Sequence, residues 1–236
     1  EANLAATAKV KPGNHWNEPH DAAVHALTAG LVNIGLLKGR VPALIKAQAP
    51  SCHIDIVSLS GESDYRVRLA QGEVDIVIGN WHTPPDDLHL GALFDDEVVS
   101  LVGEQHPAAR RGWTAAEWLS AEHVVPGQTH PGARGVIDEH LESLGLQRNI
   151  TARVAHFSLI PDMVASTLLV LTTGRAYCDR FAGRLPVTIL PCPVSFPRMR
   201  YYQLWHARSH VSAAGKWLRA RVKAVAGGLS QGPGTG

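Results

Sequence analysis

The sequence predicts an α/β fold of two lobes, each built around a parallel β-sheet. Short apolar runs alternate with helical periodicity from Ala22 to Gly79, and a second alternating series starts at His123. The run 74–79 has no polar alternation after Asp75, which is typical of a strand buried on both faces under helices. Parallel strands joined by right-handed helical crossovers follow from this order of elements.

The first series contains three predicted strands, 22–28, 53–59 and 74–79. A helical pattern begins at Gly30 and ends before Pro50, with Pro42 predicting a kink or a late helix start. Residues 64–71 form the next predicted helix, and Gly72 suits its C-terminal cap. Residues 90–102 then predict more strand.

The chain between the two series is interpreted as a polar link that begins at His106-Pro107 and includes Trp113 and Trp118. The second series and the end of the chain predict both kinds of element. The strands are 123–127, 150–156, 168–173, 187–190 and 199–207, and the helices are 133–144, 161–166, 175–181 and 212–226. Gly145 suits a helix end, Pro161 a first turn, and Leu218, Val222 and Val225 one buried face.

Composition excludes several classes of protein. A net charge of +1 over 236 residues gives no reason to expect binding to nucleic acid or an anionic membrane, and no apolar stretch reaches the roughly 18 residues of a membrane helix. Three cysteines, Cys52, Cys178 and Cys192, without a CxxC motif predict free thiols in a reducing compartment. The chain begins with Glu1, so we expect a fragment, and the Gly-rich residues 227–236 are expected to be a disordered tail.

Enzyme motifs are missing from the sequence. There is no GxGxxG after a strand, no GxxxxGK[ST], no HExxH and no GxSxG, so no catalytic residue or cofactor is predicted. Thirteen histidines invite a metal hypothesis, but His20, His25, His82 and His89 lack acidic ligands at a useful spacing. Cys178 could be a nucleophile, but no base is paired with it, and a buried packing thiol is favoured.

Polar and aromatic residues recur where predicted strands end, which is where open α/β sheets bind ligands. Gly30 could present helix N–H groups to a carboxylate, His156 and Arg198 could meet an acid group, and Trp81 and Phe157 could cover a flat ring. The predicted ligand residues are Thr28, Gly30, Asn80, Trp81, Thr129, His130, His156, Phe157, Thr172, Thr173 and Arg198.

A structural alternative stands beside each of these roles. His156 could hydrogen-bond a neighbouring backbone carbonyl, and Trp81 could cover a turn beside two prolines. Asn80 after Gly79 is a usual turn residue, and Arg198 could be a solvated surface group. The threonines are candidate ligand residues only because they share a location at strand ends.

Five segments carry a family resemblance. VPALIKAQAP, LAQGEVDIVIGN and LFDDEVVSLVGEQHP resemble the effector-binding domain of LysR-type transcriptional regulators. AHF at 155–157 and LWHARSH at 204–210, followed by KWLR, resemble the branch that senses salicylate, nitroaromatic acids and flavonoids. The resemblance runs from about Ala22 to Ala226.

The resemblance implies a type 2 periplasmic-binding-protein-like fold, with two Rossmann-like lobes joined by two crossovers. Lobe one would comprise 22–104 and 209–226, lobe two 105–208, and residues 1–21 would be a linker remnant or extended arm. It also implies that the chain binds a small effector, an aromatic acid, between the lobes and catalyses no reaction. The protein would be a cytoplasmic homodimer or homotetramer that pairs through helix 31–48 and contacts DNA only through an N-terminal winged helix-turn-helix outside this chain.

Three positions match the family's ligand contacts, namely His156, Arg198 and Thr28. The chain departs from the family after strand one, where Ala29 follows Thr28, and also at Thr167-Leu168 and Thr172-Thr173-Gly174. The identity of the effector therefore does not carry over. The alternatives are a periplasmic solute-binding protein on the same fold and an enzyme on this scaffold.

Overall fold

The computed structural model describes residues 24–28, 40–58, 62–81, 83–127 and 135–228, with only the backbone for residues 24–28, 58 and 62–64. The described residues fall into two compact units. The first contains the residues up to Phe94 and from Tyr201 onward, and the second is Asp95–Arg200. The sequence placed these boundaries at Glu104 and Arg208. They lie earlier because the chain passes from one unit to the other within two strands rather than in loops.

The first unit is built on a five-stranded sheet in the order β2-β1-β3-β10-β4. Its strands are β1 (Val24–Thr28), β2 (Ile54–Ser58), β3 (Ile76–Asn80), β4 (His89–Asp96) and β10 (Met199–Trp205). β1 pairs in parallel with both β2 and β3, as predicted. β10 is antiparallel to β3, with Gln203 opposite Ile78, so most of this strand belongs to the first unit and not to the predicted second lobe.

Three helices accompany this sheet, α1 (Val41–Gln48), α2 (Glu62–Gln71) and α8 (Ala213–Gly227). Pro42 lies in the first turn of α1, where its missing N–H costs no helical hydrogen bond; the predicted helix start at Gly30 lies outside the described residues. Gly72 ends α2 with a φ of 79°, a left-handed conformation that favours glycine. Leu218 and Val222 of α8 are buried as predicted, while Val225 is half-buried and Ala226 completes the face.

The second unit has β5 (Val98–Gly103) as its inner strand, between β8 (Leu171–Gly174) and β9 (Val187–Pro191) and antiparallel to both. β6 (His123–Pro126) and β7 (Ile150–Val154) pair in parallel, and a parallel bridge joins His123 to Val170 just before β8. The prediction of more strand over 90–102 is confirmed, and a break at Glu97 divides it into β4 and β5.

The predicted polar link after His106 is wrong. It forms two helices, α3 (Pro107–Arg111) and α4 (Ala115–Ser120). A capping box starts α4, because Thr114 and Glu117 satisfy each other's backbone N–H groups. Trp118 is completely buried. The Thr-x-x-Glu spacing was the sequence signal for this helix, and the surrounding polar composition obscured it.

The remaining helices of the second unit are α5 (Val136–Ser143), a 3₁₀ turn (Phe157–Leu159), α6 (Ile160–Ser166) and α7 (Arg175–Cys178). Gly145, with a φ of 69°, lies just beyond α5, as predicted, and Pro161 lies in the first turn of α6. The helix predicted over 175–181 is shorter, because α7 ends at Cys178 and the chain continues in turns.

Candidate functional site

Four of the predicted ligand residues cannot be placed by their side chains. Gly30, Thr129 and His130 lie outside the described residues, and Thr28 is described only by its backbone, at the end of β1. Their roles stay predictions. The other seven are Asn80, Trp81, His156, Phe157, Thr172, Thr173 and Arg198.

Asn80 and Trp81 lie at the end of β3 in the first unit. Asn80 is the last residue of the strand and stands opposite Tyr201 of β10. The Trp81 ring packs against the buried cluster that includes Tyr65, with 5.9 Å between the two ring centroids. It also covers Gly79, where a Cβ atom would lie 2.8 Å from the indole. Much of the Trp81 surface is therefore used in packing, which accounts for the glycine before Asn80.

Thr172 belongs to a buried hydrogen-bond cluster in the second unit. The Ser100 hydroxyl accepts a hydrogen bond from the Trp118 indole N–H at 2.9 Å. The Thr172 hydroxyl lies 3.3 Å from the same oxygen, as does the Cys192 sulfur. Thr172 is 5% exposed, so its hydroxyl is already engaged inside the unit. We call these four residues the Ser100 cluster.

Thr173 follows Thr172 along β8 and stands opposite Val99. Successive side chains of a strand point to opposite faces of the sheet, so its hydroxyl does not share the surroundings of the Ser100 cluster. Thr173 is half-buried.

His156 and Phe157 lie in the turn that follows β7. His156 is exposed and precedes the 3₁₀ turn, and its side chain does not cap that turn. Within the part of the chain that the structure describes, its imidazole makes no hydrogen bond to a backbone carbonyl. Phe157 is half-buried, with its ring centroid 4.6 Å from that of Tyr177. Its carbonyl oxygen accepts a hydrogen bond from the Tyr177 hydroxyl at 3.1 Å.

Arg198 is exposed and lies beside acidic residues of the second unit. Its guanidinium donates to the Asp95 carbonyl at 3.4 Å, while the Asp95 carboxylate accepts from Arg200 at 2.6 and 2.9 Å. Arg198 also lowers the pKa values of both Asp95 and Asp96, although it is not the main influence on either. Its charge is thus partly balanced by the protein.

Sequence reasoning missed Asp96, a carboxylate at the end of β4 that is 6% exposed. Burial raises its pKa to about 6, although the backbone N–H groups of Ala176 and Glu97, which donate to it, act in the opposite direction. The sequence signal was a pair of acidic residues inside an otherwise apolar strand pattern, because a carboxylate in such a place needs partners.

The cysteines do not form a reactive site. Cys178 is buried, and burial raises the pKa of its thiol far above the physiological range. A thiol rather than a thiolate is a poor nucleophile, which supports the packing interpretation. In the described ranges, no three His, Cys, Asp or Glu residues are grouped to hold a metal ion. No helix of the described residues is long and apolar enough to cross a membrane.

A surface cavity of about 380 Å³ lies in the second unit. It is bordered by the helices that replaced the predicted link, and its walls include His106, Trp113 and Leu168. None of the predicted ligand residues lines it.

The comparisons with known proteins agree on one family. The model of the LysR substrate binding domain matches residues 25–227. The HTH-type transcriptional regulator SyrM of Rhizobium meliloti is 28% identical over 174 residues, which are 74% of this chain and 53% of SyrM. The HTH-type transcriptional activator NahR of Pseudomonas putida is 27% identical over 229 residues, covering 87% of this chain and 75% of NahR. The chain therefore spans about half the length of SyrM.

Solved structures share the fold. The regulatory domain of MexT, a transcriptional activator in Pseudomonas aeruginosa, aligns with a TM-score of 0.72 and 18% identity over 86% of this chain and 97% of that one. The BenM effector-binding domain with its effector benzoate aligns with a TM-score of 0.65 and 13% identity, over 89% of this chain and 96% of that one. The QuiR effector-binding domain in complex with shikimate aligns with a TM-score of 0.67 and 14% identity, over 87% of this chain and 97% of that one. These alignments confirm the predicted fold class. The match to the model of the LysR substrate binding domain excludes the alternative of a periplasmic solute-binding protein.

Proposed function

The chain belongs to the LysR substrate-binding domain family, and from this premise we propose that it senses a small aromatic carboxylate on behalf of a transcriptional regulator. The observation that carries the proposal is the exposed His156 ring at the end of β7, which makes no capping hydrogen bond. An imidazole N–H that none of the described residues uses is available to donate to a carboxylate.

Two further residues of the second unit support a flat, acidic ligand. The half-buried Phe157 ring adjoins His156 and offers a face or edge against an aromatic ring. Arg198 is exposed and supplies a guanidinium suited to two-point binding of a carboxylate. Four further residues, Thr28, Gly30, Thr129 and His130, remain candidates on sequence grounds.

The ligands of the structural relatives are compatible with this chemistry. Benzoate, bound by BenM, is an aromatic carboxylate, and shikimate, bound by QuiR, is a carboxylate with a non-aromatic ring. The carboxylate is what the two ligands share. The aromatic part of the proposal rests on Phe157 and on the AHF segment of the sequence.

The names of the relatives support the role that we propose for the whole protein. SyrM and NahR are transcriptional regulators of the helix-turn-helix type. The full-length protein would control transcription in the bacterial cytoplasm as a homodimer or homotetramer, reaching DNA through a domain outside this chain. Regulation of this kind needs binding and not turnover, so we assign no catalytic residue.

Unfolding measurements with a matched set of small molecules test the proposal. Benzoate, salicylate and shikimate are compared with benzamide, which keeps the ring and lacks the charge. A ligand at 100 times its dissociation constant raises the free energy of unfolding by about 2.7 kcal/mol. We expect benzoate or salicylate to stabilise the protein and benzamide to have no effect. Equal stabilisation by benzamide would rule out carboxylate recognition, and stabilisation by shikimate alone would rule out an aromatic ligand.

A second measurement tests His156 itself. His156→Ala should weaken binding of the stabilising acid at least about tenfold, the scale of a lost hydrogen bond to a charged group. His53→Ala is the control, because His53 is also exposed but lies at the start of β2 in the first unit. Unchanged affinity in a folded His156→Ala protein would remove this residue from the site.

A further inference from the structure

One buried tyrosine of the second unit contacts the turn that carries His156 and Phe157. Tyr177 is 1% exposed. Its hydroxyl donates to the Phe157 carbonyl at 3.1 Å, and its ring centroid lies 4.6 Å from that of Phe157 and 5.0 Å from that of Phe181. The contact therefore combines one directed hydrogen bond with ring packing.

The hydrogen bond gives the Tyr177 hydroxyl an acceptor and the Phe157 carbonyl a second donor. The Phe157 carbonyl already accepts from the Ile160 backbone N–H, which closes the 3₁₀ turn, and a carbonyl oxygen has room for a second donor. Burial raises the pKa of Tyr177 well above its ordinary value, so the hydroxyl keeps its proton and remains a donor. Without this donor, the turn would be held by two local hydrogen bonds, donated by the Leu159 and Ile160 N–H groups, and by packing.

The helix that carries Tyr177 is held by residues at the end of β4 and just before β5. Tyr177 lies on α7, which spans only Arg175–Cys178, and an isolated helix of this length is not stable. Asp96 accepts from the Ala176 N–H at 3.1 Å. Glu97 binds the Arg175 side chain at 2.7 Å and accepts from the Arg175 N–H through its carbonyl at 2.8 Å.

These contacts form a continuous series from Asp96 through α7 to the turn after β7. Each link is a hydrogen bond between residues about 20 or 80 positions apart in the chain. A turn that is ordered before ligand arrives loses less conformational entropy on binding, which improves affinity.

We propose that Tyr177 is a positioning residue that orders the His156–Phe157 turn for ligand binding, and that Asp96 anchors the helix carrying it. The proposal rests on the function proposed above, because it takes His156 as a ligand contact. The alternative is that Tyr177 only fills the core of the unit, in which case its hydroxyl would affect stability and not affinity.

Hydrogen exchange without ligand tests the ordering directly. Tyr177→Phe keeps both ring contacts and removes only the hydroxyl. We expect the amides of Leu159 and Ile160, which donate to His156 and Phe157 carbonyls, to exchange several-fold faster, while the amides of β5 keep their rates. Ser209→Ala is the control, since it removes a hydroxyl bonded to a backbone carbonyl in the first unit. Unchanged exchange in the turn overturns the proposal.

Benzoate titration by calorimetry supplies the functional test, under conditions where every variant is folded. Tyr177→Phe should bind benzoate about five- to tenfold more weakly, which corresponds to one neutral hydrogen bond. Combined with His156→Ala it should cause little further loss, because both changes remove the same contact. Unchanged affinity, or full additivity, means that Tyr177 is only a packing residue.

The role of Asp96 is tested by two substitutions. Asp96→Asn keeps one oxygen that can accept from Ala176, so slow exchange in the turn should persist. Asp96→Ala removes both oxygens and should reproduce the fast exchange of Tyr177→Phe; equal behaviour of the two Asp96 variants rejects the anchor. If wild-type protein does not bind benzoate, the ligand proposal fails separately, while the exchange experiment still decides whether Tyr177 orders the turn.

Discussion

Thr172 of the Ser100 cluster and the two residues His156 and Phe157 were predicted as ligand residues, since each lies where a predicted strand of the second unit ends. In the cluster, the hydroxyls of Ser100 and Thr172 are buried and bonded to each other, and the Trp118 indole completes the set. In the turn, the backbone is held by Tyr177 while the His156 ring is exposed. A position at a strand end is therefore not enough to identify a ligand residue, because the polar group must also be unused by the protein.

The largest expected effect on stability is that of substituting Trp118 in the Ser100 cluster, because its side chain is completely buried. Trp118→Ala should lower the free energy of unfolding by about 3–5 kcal/mol, from lost burial and the cavity left behind. Urea unfolding followed by circular dichroism measures it. Trp113→Ala is the matched control, because Trp113 is half-buried. Equal losses of unfolding free energy in the two variants would contradict the burial of Trp118 in the cluster.

Removal of single hydroxyls should rank the members of the cluster. Ser100→Ala leaves the buried Trp118 N–H without its acceptor and should cost about 1–3 kcal/mol of unfolding free energy. Thr172→Val should cost less, about 1 kcal/mol, because Ser100 still accepts from Trp118. The same urea measurement applies. A larger loss for Thr172→Val than for Ser100→Ala would show that Thr172 has a role outside the cluster.

Two buried ionisable groups should make stability depend on pH in opposite directions. The His123 ring donates to the Trp118 carbonyl at 2.7 Å, and its pKa is lowered to about 4, first by burial and then by nearby Arg148. Between pH 4 and 6.5 the unfolded state binds more protons at His123, so stability should rise with pH. At Asp96, with its pKa raised to about 6, the folded state binds more protons between pH 4 and 6, so stability should fall as pH rises.

The two groups change the free energy of unfolding with pH in opposite directions in the unsubstituted protein. Each contributes a slope of at most about 1.4 kcal/mol per pH unit. Single variants should separate them in urea unfolding between pH 4 and 7. Asp96→Asn should leave stability that increases with pH, and His123→Gln should leave stability that decreases over the same interval. Parallel slopes in the two variants would refute the assignment.

The smallest expected effect on stability belongs to the exposed turn. His156→Ala should change the free energy of unfolding by no more than about 0.5 kcal/mol, the usual range for a surface substitution. This is measured beside Ser100→Ala under the same conditions. A loss above about 1 kcal/mol would place His156 among the structural residues and remove the contrast between the two regions.

Local signals account for most of what was predicted correctly. The apolar runs of β1 to β3 and the glycines after α2 and α5 depend on short-range sterics, which neighbouring residues reveal. The pairing of β10 with the first sheet depends on contacts between distant parts of the chain, and no local pattern encodes it. The helix begun by Thr114 was encoded locally by its capping box, but the polar residues around it favoured a link.

The sequence by itself determined the family, most of the order of strands and helices, and the placement of polar residues at strand ends, because each depends on local pattern or on motif order. Only the tertiary structure decided which polar groups remain available. Thr172 is engaged by a hydroxyl 72 positions away, and Phe157 by one 20 positions away. Hydrogen bonds over such separations exist only once the chain is folded. Residues that look alike in the sequence therefore differ in the folded protein in their burial and in their hydrogen-bond partners.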